Sequence, residues 1–385
     1  MRVITTTKEL AEACDGFSRG AFVAVDTEFM RESTFWPLLC LIQLAGEHEG
    51  DELIIDPLAQ PAIDLAPFYA LMNDARVVKV FHAARQDIEI VVHQASIVPH
   101  PVFDTQVAGM VCGFGESISY VNLVKKLLGE EVDKSSRFTD WARRPLQKKQ
   151  LAYALGDVTH LRKIYLLLKT ELERSGRAQW LNEEMAELTA PSTYELEPDD
   201  AWQRLKLRVR SRKGLAVLIE LAAWRERAAQ GQDVPRSRIL RDEALYDIAN
   251  QMPTEVAQLA SLRTLSDGFA RSARAKEIVD AVKRGLARDP KTVPAIANGT
   301  PMSAEATATF DLLRVLLKSA AARHKVAAKL IATSEELEQI ATGALVDVHA
   351  LKGWRRELFG ADALALKSGE IALGVEDGEV VIVRR

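Results

Sequence analysis

Short apolar runs alternate with helical patterns over the first 200 residues. Four runs have the length and composition of buried strands, at 22–25, 38–44, 53–55 and 77–81. Helical spacing of apolar residues predicts helices at about 64–73, 84–95, 104–112, 119–128 and 147–174. Before the first of these strands, Thr6 and Glu9 have the spacing of a helix capping box. These elements predict an α/β N-terminal domain.

Beyond residue 200 the pattern is all-helical and repeats itself at an offset of 92 residues. Leu218 corresponds to Phe310, Val234 to Val326, and Ile239 to Ile331, among other pairs. Because the match spans two helices and the turn between them, it predicts two copies of one helical unit. A joint rich in Pro, Gly and Thr separates the copies at 289–301, and residues 371–383 around Asp377-Gly378 predict a β-hairpin.

Composition and charge narrow the class of protein. The 385 residues carry a net charge of −4, which hides −11 over residues 1–200 and +7 over the rest. Such a split favours one half that handles cations and another that handles polyanions. No apolar run is long enough to span a membrane, and three separated cysteines form no CxxC pair, which argues against a zinc ribbon and a disulfide framework. We expect a cytoplasmic protein of two or three domains.

The strongest candidate for chemistry is the end of the strand at 22–25. Asp26 and Glu28 are two residues apart, so in an extended strand both side chains point to the same face. Like charges this close repel each other, and a cation between them relieves that repulsion. Two acids at this spacing are also common at exposed strand ends, so the pair alone is a weak signal.

Two further segments strengthen the signal. Tyr153 and Asp157 share one face of the long predicted helix, and Asp87 lies in the first turn of the helix that follows His82. Four acids and a tyrosine in this order suit two hard divalent cations bound through oxygen ligands. Such a pair can hold the attacking and leaving oxygens of a phosphodiester.

These segments resemble a known family. VDTEF (25–29), HAARQD (82–87) and YALGDVTHL (153–161) resemble the three exonuclease motifs of the DEDD superfamily, in its tyrosine branch. LLCLIQLA (38–45), VFDTQVAG (102–109) and DWARRPL (140–146) further resemble the ribonuclease D family. Residues 204–285 look like a helicase-and-RNase-D C-terminal (HRDC) domain, whereas the second copy departs from that pattern, with Leu316-Leu317 in place of Trp224-Arg225 and Ala327 in place of Pro235.

The resemblance implies a fold, a domain order and an activity. It implies an RNase-H-like α/β exonuclease domain at 1–190, an acidic linker at 191–203, HRDC domain 1 at 204–290, and HRDC-like domain 2 with its hairpin at 301–385. The implied activity is 3′→5′ exoribonuclease trimming of the 3′ extensions of tRNA precursors, which releases nucleoside 5′-monophosphates. We expect a monomer that binds no membrane.

The resemblance also assigns roles in the site. Asp26, Glu28 and Asp157 would ligate the first of two divalent ions, Mg²⁺ or Mn²⁺. Asp26 would bridge to the second ion, and Asp87 would support the site directly or through water. Tyr153 would position the attacking water, because a phenol with a pKa near 10 is a poor base by itself.

Residues beside these motifs are candidates for contact with the substrate. Phe29 and Met30 follow the metal-binding strand and are placed to stack on the last base, although an aromatic residue in this position more often packs in the core. His82 is placed to reach the terminal sugar or phosphate, or to make a structural hydrogen bond. The remaining candidates are arginines, in the pair Arg143 and Arg144 and in a basic run that contains Arg208, Arg210 and Arg212.

Two alternatives stay open at this point. One is a catalytically silent RNA-binding module, against which the complete set of four acids argues. The other is a DEDD exonuclease that acts on DNA, since contacts to the 2′-hydroxyl leave no short sequence motif. The family resemblance favours RNA.

Overall fold

The computed structural model describes residues 1–133, 139–195, 197–206, 208–266, 268–269, 272–294, 302–345 and 347–385. Contacts divide the chain into two compact units. The first unit comprises Met1–Glu28, Cys40–Thr193 and Gly299–Arg385, and the second comprises Phe29–Leu39 and Tyr194–Asn298. The domain boundaries expected from sequence remain a prediction.

A six-stranded mixed sheet forms the centre of the N-terminal region, in the order β1-β4-β3-β2-β5-β6. Its strands are β1 (Arg2–Ile4), β2 (Phe22–Met30), β3 (Leu38–Ala45), β4 (Leu53–Ile55), β5 (Val78–Phe81) and β6 (Val102–Asp104). Strand β2 pairs in parallel with β5, β5 with β6, and β1 with β4, while β3 runs antiparallel to β4. The four predicted strands are confirmed. The three-residue strands β1 and β6 were not predicted.

Seven helices accompany the described strands of this region. They are α1 (Thr7–Phe17), α2 (Ala66–Met72), α3 (Arg85–Ala95), α4 (Thr105–Val111), α5 (Tyr120–Leu128), α6 (Lys148–Ser175) and α7 (Ala178–Leu188). The predicted helix starts have their polar caps: the Thr6 side chain accepts from the N–H of Glu9, and Asp104 and Ser119 cap α4 and α5.

Apolar packing between the sheet and α6 fixes the position of the chemistry. Ala24 of β2 and Val80 of β5 share one buried cluster with Val158 and Leu161 of α6. Asp157 directly precedes Val158, and Asp26 lies two residues beyond Ala24 on the same face of β2. The packing of these small and branched side chains therefore brings the acid on α6 to the acids at the end of β2.

The second unit is helical, as expected. It contains α8 (Arg212–Gln232), α9 (Arg236–Ile239), α10 (Asp242–Gln251), α11 (Val256–Ala260) and α12 (Ala273–Ala287), with 3-10 turns at Pro198–Arg204 and Pro290–Thr292. A further 3-10 turn at Pro191–Thr193 belongs to the first unit. Helices α8 and α12 approach closely at Gly285. A Cβ on this residue would lie only 2.5 Å from the Cα of Val217. The segment from Phe29 to Leu39 belongs to this unit, and the carboxylate of Asp233 accepts from the backbone N–H of Phe35 and of Trp36.

Several C-terminal helices repeat the bounds of helices in the second unit. The helices of this region are α13 (Ala304–His324), α14 (Ala328–Ile331), α15 (Ser334–Thr342), α16 (Gly353–Arg355) and α17 (Ala361–Ser368), with a 3-10 turn at His349–Leu351 and a π-helical turn at Arg356–Gly360. Helices α8 and α13 begin and end 92 residues apart, as do α9 and α14. The left-handed residues that end α8 and α13, Asp233 and Lys325, keep the same offset.

Strands β7 (Ile371–Glu376) and β8 (Glu379–Arg384) confirm the predicted hairpin. Asp377 and Gly378 form its turn with φ values of 52° and 83°. Within the described residues, no helix combines the length and the apolar character needed to cross a bilayer.

Candidate active site

Three of the predicted acids meet at the end of β2. One carboxylate oxygen from each of Asp26, Glu28 and Asp157 lies within 4.8 Å of the others. The two strand residues are half-buried, and Asp157 is 9% exposed. This is the one group of three or more potential metal ligands within the described parts of the chain.

The fourth acid stands beside this group rather than within it. Asp87 lies in the first turn of α3, is 8% exposed, and accepts a hydrogen bond from the Thr27 hydroxyl. Because Thr27 alternates with Asp26 and Glu28 along β2, its side chain points to the opposite face of the strand. Asp87 nevertheless lies close enough for its charge to raise the pKa of both Asp26 and Glu28.

Burial disfavours the ionised forms of all four acids, and repulsion by the neighbouring site acids adds to this effect at Asp26 and Glu28. Burial, followed by the charges of Asp157 and Asp87, raises the pKa of Glu28 to about 8. Burial raises the pKa of Asp157 and of Asp87 to about 7, against hydrogen bonds from Tyr153 and Thr27 respectively. Asp26 has its pKa raised well above the ordinary range by burial and by the other three acids.

This donor set fits a divalent cation. Carboxylates that repel each other in a partly buried site become favourable ligands once positive charge lies between them. Oxygen-only ligands are those that Mg²⁺ and Mn²⁺ prefer. The site therefore matches a hard divalent ion in both charge and ligand type.

Tyr153 lies one helical turn before Asp157 on α6 and donates a hydrogen bond to its carboxylate. The Tyr153 ring is half-buried and lies 6.2 Å, centroid to centroid, from the ring of buried Trp141. Aromatic packing on one side and the carboxylate on the other hold the phenol at the edge of the acidic group. The structure thus places Tyr153 and the acids together, as predicted from spacing.

A cavity of about 500 Å³ opens in front of the acids. Its lining contains Asp26, Thr27, Glu28, His82, Ala83, Gln106, Ser117, Ser119, Tyr120, Val121, Val132, Tyr153, Asp157 and Leu161. Of these, Tyr120, Gln106 and Ser117 were missed from sequence. Tyr120 donates its hydroxyl hydrogen to the backbone carbonyl of Asp157. The only sequence signal for it was its place at the start of a predicted helix.

His82 borders the same cavity. Its Nδ1 lies 3.0 Å from the Thr105 hydroxyl. Burial lowers the pKa of His82, against the raising effects of the Asp104 charge and of a backbone hydrogen bond with Ile118. The ring is therefore oriented by Thr105 and favours the neutral form.

Asp104 holds the turn between His82 and α3. Its carboxylate accepts from the N–H groups of Ala83 and Ala84, at 3.0 and 2.8 Å, and from the N–H of Gln106 in α4. Ala83 has a φ of 60°, a value that costs energy for a residue with a Cβ. These hydrogen bonds stabilise that conformation, and they fix the first turn of α3 that carries Asp87.

Arg144, a predicted substrate contact, has several partners within the fold. Its guanidinium forms a bidentate ion pair with Asp56, at 2.6 and 2.8 Å, and donates to the carbonyl oxygen of Cys40. These contacts give Arg144 a structural role, and its contact with a phosphate stays a prediction. Arg143 is exposed but lies outside the cavity lining, as do the half-buried Phe29 and Met30.

The basic run lies in the second unit, ahead of α8. Arg208 and Arg210 flank buried Val209, and the Arg208 guanidinium lies 5.9 Å from the centre of the Tyr246 ring. Arg212, the first residue of α8, donates two hydrogen bonds to the carbonyl oxygen of Val293. Arg208 and Arg210 therefore remain candidates for phosphate contact, while part of the Arg212 donor capacity is used within the unit.

Comparison with known families agrees with this geometry. The family described as 3′-5′ exonuclease matches residues 1–173, and the HRDC domain family matches residues 214–282. The first match covers all four acids and Tyr153. The second covers the first helical copy and leaves the second copy unmatched.

Several relatives are similar over their whole length. The ribonuclease D of Nitrobacter hamburgensis is 54% identical over all of both chains. That of Bartonella henselae is 46% identical over 99% of this chain and 93% of its own. A crystal structure of Escherichia coli RNase D, titled an exoribonuclease involved in structured RNA processing, superposes with a TM-score of 0.83 at 30% identity, over 96% of this chain and 98% of that one.

Mg²⁺ is expected to stabilise the protein more at high pH than at low pH. The folded-state pKa values of about 7 for Asp87 and Asp157 and about 8 for Glu28 lie above the ordinary range. A carboxyl with a raised folded pKa favours the folded state while it is protonated. Metal-free protein therefore loses stability as the pH rises from about 4 to about 8. Over the same range the acids become free to bind the cation.

Thermal unfolding in Mg²⁺ and in EDTA, at about pH 5.5 and about pH 8, checks this expectation. The increase in Tm with Mg²⁺ should be clearly larger at the higher pH. The Asp26→Asn variant is the control, because it removes a ligand and one repulsive charge, and it should respond weakly to Mg²⁺ at both values. An equal response of both proteins would show that the cation stabilises some other part of the chain.

Proposed function

The chain belongs to the ribonuclease D family and is a metal-dependent 3′→5′ exoribonuclease, and on that basis we propose that it trims the 3′ ends of tRNA precursors by two-metal-ion hydrolysis. The observation that supports this most directly is the buried group of Asp26, Glu28 and Asp157 beside Tyr153. Asp26, Glu28 and Asp157 would hold one divalent cation, Asp26 would bridge to a second, and Asp87 would support that second position. We expect the protein to act as a monomer in the cytoplasm.

The chain's own groups supply orientation in the proposed reaction. The two cations would lower the pKa of the attacking water and neutralise charge on the phosphodiester. Tyr153 is held in place by Trp141 and Asp157. Its hydroxyl would form one hydrogen bond with that water and so align it with the phosphorus atom. Attack on the last phosphodiester leaves the phosphate on the departing nucleoside, so the product is a nucleoside 5′-monophosphate.

His82 and Tyr120 would form the wall against which the terminal nucleotide rests. Their rings meet edge to face, with centroids 5.3 Å apart, and both line the cavity. A cavity of about 500 Å³ suits one nucleotide better than a folded RNA, which is consistent with removal of one residue at a time.

The helical region would bind the body of the RNA. Residues 204–241 carry eleven basic and three acidic side chains. Arg225 is buried, and Arg204, Arg227 and Arg236 form ion pairs within the unit. The remaining bases would bind phosphates in a salt-dependent way. Arg208 and Arg210 are the side chains best placed for such contacts. Folded RNA held there would leave a short single-stranded 3′ end to enter the exonuclease site.

The alternatives are less well supported. A silent RNA-binding module would have no reason to concentrate carboxylates with raised pKa values beside a polyanion. A DNA-directed exonuclease would need the same acids, so the acids do not separate the two substrates. The relatives named ribonuclease D favour RNA.

A time course on a tRNA with a few extra 3′ nucleotides, labelled at its 5′ end, tests the proposal. Reactions would contain Mg²⁺, Mn²⁺ or EDTA, and a DNA oligonucleotide of matched sequence would serve as the control. We expect a ladder that shortens by one nucleotide at a time, only on RNA and only with a divalent ion. Equal shortening of the DNA would contradict the proposed substrate, and tight RNA binding with no shortening would contradict the catalytic assignment.

Replacement Tyr153→Phe tests the role of the phenol. We expect kcat to fall by about 100-fold, because the water loses its positioning hydrogen bond, while the Mg²⁺-dependent increase in Tm persists. Tyr69→Phe is the matched control, since it removes a phenol of α2 that donates a hydrogen bond to Gln94 in the last turn of α3 and is not part of the cavity lining. If Tyr153→Phe also abolished the response to Mg²⁺, the hydroxyl would be needed for metal binding rather than for positioning water.

A further inference from the structure

The second helical copy is built onto the exonuclease region, at the place where it departs from the HRDC pattern. Ala327 occupies the position of Pro235 in the first copy. Proline has no N–H, whereas the N–H of Ala327 donates to the carbonyl oxygen of Met110 in α4, at 3.0 Å. The departure therefore supplies a hydrogen-bond donor that a proline at this position would lack.

The backbones of Gly113 and Lys325 also approach each other closely. Gly113 has a φ of +83°, and a Cβ there would lie 2.6 Å from the carbonyl oxygen of Lys325. Arg177, at the start of α7, donates to that carbonyl oxygen and to that of His324. The left-handed end of α13 is thus bonded to the exonuclease region through three separate carbonyl or N–H groups.

A second set of contacts holds the far end of α14. Arg355 donates to the carbonyl oxygen of Leu330 at 2.8 Å and forms ion pairs with Glu183 and Glu184 of α7. Trp354 stacks on Trp180, with ring centroids 4.5 Å apart and planes 13° apart. The four-residue helix α14 is therefore fixed at both ends against the same compact unit that contains the acids.

This packing brings the side chain of Lys329 close to the active-site cavity. Lys329 corresponds to Ser237 in the first copy, so its charge is new to the second copy. Its side chain is exposed, and Nζ lies 2.5 Å from the Ser117 hydroxyl oxygen. Ser117 in turn lines the active-site cavity. An ammonium group thus stands at the rim of the cavity, carried by a helix 212 residues away in sequence.

A positive charge beside this cavity would favour the entry of a polyanion. Its described lining includes three carboxylates and no Lys or Arg, yet an RNA strand must bring a chain of phosphates to it. Lys329 also borders a smaller cavity whose lining carries five carboxylates, those of Glu184, Glu187, Glu335, Glu336 and Asp347. Among the described residues, no carboxylate forms a direct ion pair with the Lys329 ammonium. The ammonium group is therefore not held by a direct ion pair within the fold.

We propose that Lys329 binds a backbone phosphate of the RNA strand that enters the cavity, so that the second helical copy contributes directly to substrate positioning. This inference rests on the proposed function, since it takes single-stranded RNA as the occupant of the cavity. Lys329 is a positioning residue in this account and takes no part in the bond cleavage itself.

The test compares Lys329→Ala, Lys329→Gln and Lys329→Arg with the control Lys318→Ala, which removes the same charge from an exposed position on α13. Binding of a short single-stranded RNA is measured against KCl concentration in the Asp26→Asn background, where the RNA survives. For one lost phosphate contact we expect the slope of log K against log salt to become shallower by about 0.7. Affinity should fall by about two- to fivefold. In the otherwise native chain, KM should rise while kcat stays close to its original value.

Lys329→Gln keeps a hydrogen-bond donor for Ser117 but loses the charge. If Lys329 binds phosphate, Gln behaves like Ala and Arg restores the slope. If the side chain only joins the two regions, Gln preserves the native slope, and that result would overturn the inference. A slope for Lys329→Ala equal to that for Lys318→Ala would overturn it as well. In either case shortening of RNA by the native chain would still stand as separate evidence for the proposed function.

Discussion

Repulsion among buried carboxylates is the constraint on which this structure depends. Asp26, Glu28 and Asp157 lie within 4.8 Å of one another, with Asp87 close by, and burial raises the pKa of each. A fold gains nothing from such a group unless a cation completes it. The sheet, the cap at Asp104 and the packing of α6 all maintain this costly arrangement, which is the usual sign of a site kept for chemistry.

The two predicted helical copies pack against different segments of the chain. Helices α8 and α13 keep the same length, the same serine cap and the same left-handed end. In the first copy Asp233 at that end bonds the segment containing Phe35, whereas in the second copy Lys325 meets Gly113 of the exonuclease region. The second copy has other residues at the positions of Trp224, Arg225 and Pro235, and it packs against a different segment. The helical framework is the same in both copies.

Local signals made much of the fold and of the acids predictable. Alternation along β2 placed Asp26 and Glu28 on one face, helical spacing placed Tyr153 beside Asp157, and the 92-residue offset gave the helix bounds of the second copy. Strands β1 and β6 were not predicted, because a strand of three residues is too short to show a recognisable alternation of apolar and polar positions. The ion pair of Arg144 was not predicted because its partner, Asp56, lies 88 residues away, and no local pattern shows that a loop arginine has a buried partner. The contact between Lys329 and Ser117 depends on tertiary packing and has no sequence signal.

The central claim is that one part of the chain cleaves RNA and another part holds it. The most direct measurement is a comparison of the native chain with Asp26→Asn, by single-turnover hydrolysis and by equilibrium binding of a 3′-extended tRNA. The account predicts that hydrolysis falls by at least about 100-fold, because the bridging carboxylate is lost. The Kd for the RNA should change by less than about twofold, since most phosphate contacts lie elsewhere. Hydrolysis at the native rate, or a loss of binding equal to the loss of hydrolysis, would contradict it.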